Sequence, residues 1–74
     1  LQLIEPMTYL ESEILELLAR RYSNKEIATK LVIAPATVKH HTLKIYQKLA
    51  VHNRRDAVAA AIATGLLPPE NSFP

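Results

Sequence analysis

The side chains of this chain that could recognise a ligand are concentrated in Thr37-Val38-Lys39-His40-His41-Thr42-Leu43-Lys44-Ile45-Tyr46-Gln47-Lys48-Leu49. At helical period Val38, Thr42, Ile45 and Leu49 fall on one side, while Lys39, His40, Leu43, Lys44 and Gln47 fall on the other. Such a segment can bury one face and present a cationic, hydrogen-bonding face to a polyanion. A helix of this kind fits the major groove of DNA, where lysine can neutralise phosphate or reach guanine O6 and N7. Lys39, near the start of the segment, suits the base contact, and Lys44 suits the phosphate.

Other chemistries find little support. His40, His41 and His52 invite a metal reading, but adjacent helical histidines point about 100° apart, and no acid or cysteine stands at i+3 or i+4 from His40 or His41 to complete a site. No metal or other cofactor is expected. The single glycine, Gly65, excludes a glycine-rich phosphate loop, and no nucleophile, base and acid stand in a recognisable order. The chain does not read as an enzyme.

Size and charge set the frame. At 74 residues the chain can hold one small domain, which without cysteine must rely on helix-on-helix burial. No apolar run is long enough for a membrane helix and no signal segment opens the chain, so membrane association is not expected and the setting reads as cytoplasmic. The chain opens on Leu1 and closes in a proline-rich tail, as a piece of a longer protein would. The net charge is only +2, but all nine Lys and Arg lie between Arg20 and Arg55 with Glu26 as the one acid, giving +8 there and −6 elsewhere. A basic middle between acidic ends is the footprint of a nucleic-acid face.

The elements that must position this face read as four helices, an all-α bundle. Residues 1–7 form a lead-in, since Pro6 discourages a helix before it. Thr8-Tyr9-Leu10-Glu11 is a capping box that opens the first helix, with an apolar stripe on Leu10, Ile14, Leu17, Leu18 and Tyr22. Ser23-Asn24-Lys25-Glu26 is a second capping box, opening a short helix with Ile27, Ala28 and Leu31 inward, and small Ala28 suits a close crossing. Only three or four residues then precede the third helix. Two helices joined so briefly must turn sharply, which makes a helix-turn-helix.

The third helix spans Pro35 to about Leu49, with proline where its missing N–H costs nothing. A fourth, capped by Asn53, runs from Arg54 to Thr64 and stops at Gly65, with Pro68 and Pro69 beyond. Ala57, Val58, Ala61, Ile62 and Leu66 form its stripe. So much apolar surface exceeds what one small core needs, which marks Ala57, Val58, Ala61 and Ile62 as a self-association face. Arg54 sits where the helix dipole disfavours a cation, so a DNA phosphate or an internal carboxylate, Glu11 or Glu26, should hold it; the internal partner is the favoured reading. Residues 68–74 read as a flexible tail.

The residues quoted so far make a pattern. Ser23-Asn24-Lys25-Glu26-Ile27-Ala28, Leu31, Thr37-Val38-Lys39, His41, Ile45, Lys48-Leu49, Val51, Arg54 and Ala57-Val58 resemble the signature of the LuxR-type (GerE, NarL/FixJ) helix-turn-helix domain. The resemblance runs without gaps from about residue 8 to residue 67. The wording of Ile45-Tyr46-Gln47-Lys48-Leu49 and Asn53-Arg54 is similar to the MalT-like branch.

The resemblance implies a tetrahelical output domain of a bacterial transcription regulator that binds double-stranded promoter DNA. Its second and third helices would form the helix-turn-helix and its fourth would make a homodimer, with RNA polymerase as a further candidate partner and the nucleoid as its place. Carried over by position, Lys39, His40 and Leu43 would face bases. Ser23, Asn24, Lys25, Thr37, His41, Lys44, Lys48 and Arg54 would include the phosphate contacts and their supports.

Four departures stand out. Leu10 replaces the usual arginine, Arg21 and Ala50 replace glycines, and Ala34 replaces the serine at the turn, removing an N-cap worth about 1 kcal/mol. An exposed leucine at position 43, where relatives often carry a polar or basic base reader, would shift the preferred sequence towards thymine. The alternative reading is a protein-interaction module, such as a polymerase- or sigma-binding helical domain, with an incidental basic face.

Overall fold

The computed structural model describes residues 6–68. Four helices follow one another: α1 (Tyr9–Ala19), α2 (Asn24–Leu31), α3 (Pro35–Leu49) and α4 (Arg54–Ala63). The expected lead-in and tail lie mostly outside these residues.

Three of the four helices begin where the sequence supplies a side-chain cap. Thr8 donates its N–H to Glu11 Oε1 (3.0 Å) and accepts the Glu11 N–H on its hydroxyl (3.2 Å), and Ser23 and Glu26 repeat the exchange at 2.8 and 3.1 Å. Asn53 Oδ1 accepts the Asp56 N–H at the start of α4. α3 alone lacks a side-chain cap, because Ala34 has no acceptor to offer, and Pro35 supplies only the preset φ.

All four helices also end alike. Beyond the ends of α1, α2, α3 and α4 the chain enters the left-handed region at Arg21 (φ 68), Val32 (φ 57), Ala50 (φ 56) and Gly65 (φ 81). The next N–H then reaches back five residues: Tyr22 to Leu17 (3.1 Å), Ile33 to Ala28 (3.0 Å), Val51 to Tyr46 (2.9 Å) and Leu66 to Ala61 (2.8 Å). These are Schellman turns, which favour glycine at the left-handed position, yet only the last has it. Tyr22, Ile33 and Val51 then fold back against the core, anchoring three of the four ends.

The core is built from Ile14, Leu15, Leu17 and Leu18 of α1, Ile27 and Ala28 of α2, Val38, Ile45 and Leu49 of α3, and Ala57, Ala60 and Ala61 of α4, closed by Leu67. α3 is central, packing on all three other helices, and α1 also packs on α4. The α1 stripe is broader than expected: Leu15 is buried, while Leu10 and Tyr22 are only half-buried. A helix that packs on two neighbours buries a wider arc than a single three-four stripe provides.

On α4 the buried positions are Ala57, Ala60 and Ala61, with Val58 and Ile62 half-buried at the margin. Ala57 and Ala61 are wholly inaccessible within one chain, so neither can form part of a surface that meets a second copy. Their small side chains let α4 approach the other helices closely, and that use of alanine accounts for them. Among the described residues no helix is long and apolar enough to cross a membrane.

Candidate nucleic-acid interface

The two-sidedness of α3 is sharp. Val38 and Ile45 are fully buried and Thr42 and Leu49 nearly so, whereas Lys39, His40, Leu43, Lys44 and Gln47 are exposed. Neither Lys39 nor Lys44 has an ion-pair partner among the described residues. The helix holds no acid, so its outer face has no carboxylate to neutralise these lysines. His40 and His41 meet edge to face, ring centroids 5.7 Å apart, and His41 and Thr37 are half-buried on the flank of the helix. Nδ1 of His41 and Oγ1 of Thr42 are buried without a partner among the described residues.

α2 sets the angle of α3 through the tight turn at Val32-Ile33-Ala34. The Ile33 N–H closes on Ala28, and the Thr37 and Val38 N–H groups take the Ala34 carbonyl at 3.0 and 3.2 Å. At the start of α2, the Ser23 hydroxyl is engaged in its capping box, Lys25 is exposed and Asn24 is half-buried.

Lys48 departs from the expectation of a phosphate contact. Its ammonium is buried and donates to Glu11 Oε1 at 2.5 Å and to the Pro6 carbonyl at 3.1 Å. It ties the end of α3 to the start of α1. Burial alone would raise the Glu11 carboxyl. The hydrogen bond from Lys48, the Thr8 N–H and the nearby positive charge outweigh it and hold the group below its ordinary value. The charge of Lys48 is spent inside the protein, on Glu11 and the Pro6 carbonyl.

Arg54 departs too. Glu11 is taken by Lys48 and Glu26 by Ser23, and Arg54 forms no ion pair among the described residues. The favoured internal partner is therefore absent there, for the plain reason that both carboxylates are already engaged. Arg54 instead lines an open groove between α1 and α4 with Arg21, Arg55, Leu18, Val58 and Ile62. It thus shares a neighbourhood with the α4 margin, while Lys39, His40, Leu43, Lys44 and Gln47 are gathered by α3 itself.

Comparison with known proteins agrees with this arrangement. Residues 5–61 match the GerE family, described as bacterial regulatory proteins, luxR family. Among solved structures the chain is similar to the response regulator ChrA of a heme-sensing two-component system, at 43% identity and a TM-score of 0.83 over 85% of this chain. It spans 31% of that protein's length. It is also similar to the transcription factor GerE, at 39% identity and a TM-score of 0.78, over 82% of this chain and 91% of GerE. With a matching family over most of its length and the helix-turn-helix in place, the chain belongs to the luxR family of bacterial regulatory proteins, as a DNA-binding domain of that kind.

Proposed function

We propose that the domain binds double-stranded promoter DNA sequence-specifically in the bacterial cytoplasm, as the output domain of a transcription regulator with α3 in the major groove. Lys39, His40 and Leu43 meet base edges. Ser23, Asn24, Lys25, Thr37, His41, Lys44 and Arg54 meet the backbone or support those contacts, and Lys48 holds α3 in place from within. The observation that carries this reading is the exposed, acid-free outer face of α3, with two lysines that pair with no carboxylate among the described residues, set against an inner face that is almost completely buried.

Two copies would occupy half-sites about one helical turn apart if the pair is symmetric. With Ala57 and Ala61 inside the core, pairing falls to the accessible margin of α4: Val58, Ile62 and the exposed Ala59. A regulator so placed could meet RNA polymerase through a face left free by DNA.

Salt titration of duplex binding tests the reading. Each phosphate neutralised contributes a slope of about −0.9 in log affinity against log salt, so several contacts give a steep fall. A flat dependence, or no duplex binding at all, would turn the reading towards a protein partner.

A further inference from the structure

Leu43 has no structural work to do. It is 50% exposed, and it belongs neither to the core nor to the half-buried apolar shell packed against that core. Its neighbours on the helix surface, Lys39, His40, Lys44 and Gln47, are all exposed and polar. Among the described residues the other large exposed apolar side chains, Tyr9, Val32 and Leu66, lie on other elements, so Leu43 is a single greasy point within a wet, cationic face.

A base pair in the major groove offers donors, acceptors and one apolar group, the C5-methyl of thymine. Leucine can neither donate nor accept a hydrogen bond. Against any hydrogen-bonding base edge it would displace water without replacing what the water supplied. Against the methyl it buries apolar surface on both sides. We infer that Leu43 is a specificity-determining residue which packs on a thymine methyl, so that each half-site carries thymine opposite the middle of α3. The inference rests on the major-groove reading of α3 and adds to it the chemical group that is read.

Duplexes enriched by the domain from a random pool provide the test. Each thymine is replaced in turn by deoxyuridine, which lacks the methyl and keeps every hydrogen-bonding group. The parent should lose about fourfold in affinity at one thymine per half-site, the worth of one buried methyl group. Leu43→Ala, at an exposed helical position, should bind the unsubstituted site more weakly by a similar factor and be indifferent to deoxyuridine there. Specific binding with no methyl-sensitive thymine, or with equal sensitivity in Leu43→Ala, overturns the inference and leaves the groove reading standing. A domain that enriches no duplex sequence overturns both.

Discussion

Lys48 and Glu11, 37 residues apart in sequence, meet in a buried ion pair whose side chains are 11% and 3% exposed. The carboxylate also accepts the Thr8 N–H, and the ammonium also donates to the Pro6 carbonyl. One contact therefore joins the first turn of α1 to the last turn of α3, the helix that carries the exposed basic face. Removing one member of such a pair leaves the other charged and buried, at a cost of about 3–5 kcal/mol. In a domain this small that approaches the whole stability. Lys48→Met or Glu11→Gln should accordingly unfold the domain in urea at much lower concentration. The double variant Glu11→Gln/Lys48→Met should recover most of the loss, because neither charge is then stranded. Single variants with parental midpoints would show that the pair carries no such load.

The same pair sets an acid limit. Glu11 is held below its ordinary value of 4.5, against burial, by Lys48 and the Thr8 N–H. A carboxyl depressed in the folded state contributes stability that is fully present above the unfolded value and is lost as pH falls through the folded one. Glu26, lowered by the Ser23 N–H, acts in the same direction from an exposed site. Thermal midpoints should hold from pH 7 to about 5 and fall below about 4.5. The double variant, without a carboxylate at position 11, should show a shallower fall over the same window, and an unchanged fall would assign the acid sensitivity elsewhere.

The left-handed helix ends give a prediction of opposite sign. Left-handed backbone costs a residue with a Cβ roughly 1–2 kcal/mol, of which glycine's greater freedom in the unfolded chain returns part. Val32 is 88% exposed and Ala50 is also exposed, so substitution at either loses little packing. Val32→Gly and Ala50→Gly should each stabilise by about 1 kcal/mol, raising the midpoint by roughly 4–8 °C. A lowered midpoint for both would mean that these turns are not strained in solution.

These ends also show how far the chain can be read without coordinates. The capping boxes at Thr8 and Ser23 and the proline at α3 are local, and the structure has them where three or four consecutive residues put them. The glycines expected at positions 21 and 50 became intelligible only with φ in hand, since a left-handed turn occupied by arginine or alanine leaves no mark in the sequence. Lys48 stands beside Leu49 at the edge of the buried stripe, and the resemblance set it only among the phosphate contacts and their supports. Its partner lies 37 residues away, beyond the reach of any helical period. On α4 the period itself misled, because where alanine is abundant nothing in the pattern says which alanines touch the core. The two sides of α3 were legible because large apolar and cationic residues alternate there at strict helical spacing.

The proposed groove face can be tested one side chain at a time. Lys39 is exposed and has no ion-pair partner among the described residues, so Lys39→Ala should leave thermal stability within about 0.5 kcal/mol while weakening binding to the selected site by about 1–3 kcal/mol and relaxing preference at one base pair. Lys44→Ala should instead weaken specific and random duplexes alike and lower the salt slope by about 1. If Lys39→Ala bound both kinds of duplex as the parent does, the base-reading role would belong to another residue.

The division of α4 into a buried and an accessible side separates folding from the proposed pairing. Ala57 and Ala61 have no accessible surface, so Ala57→Leu and Ala61→Leu overfill the core and should destabilise each chain by about 1–3 kcal/mol. That loss should be independent of protein concentration. Val58 and Ile62 are half-buried at the margin, and Val58→Glu with Ile62→Glu would set like charges against each other across the proposed two-fold contact. The isolated domain should sediment as a monomer at low concentration, and the parent should fill two adjacent half-sites cooperatively. The glutamate variant should fill them independently while keeping its affinity for a single half-site to within a few-fold, a residual drop coming from repulsion between the new carboxylates and phosphate. Cooperativity that survives both glutamates would place the pairing surface away from α4.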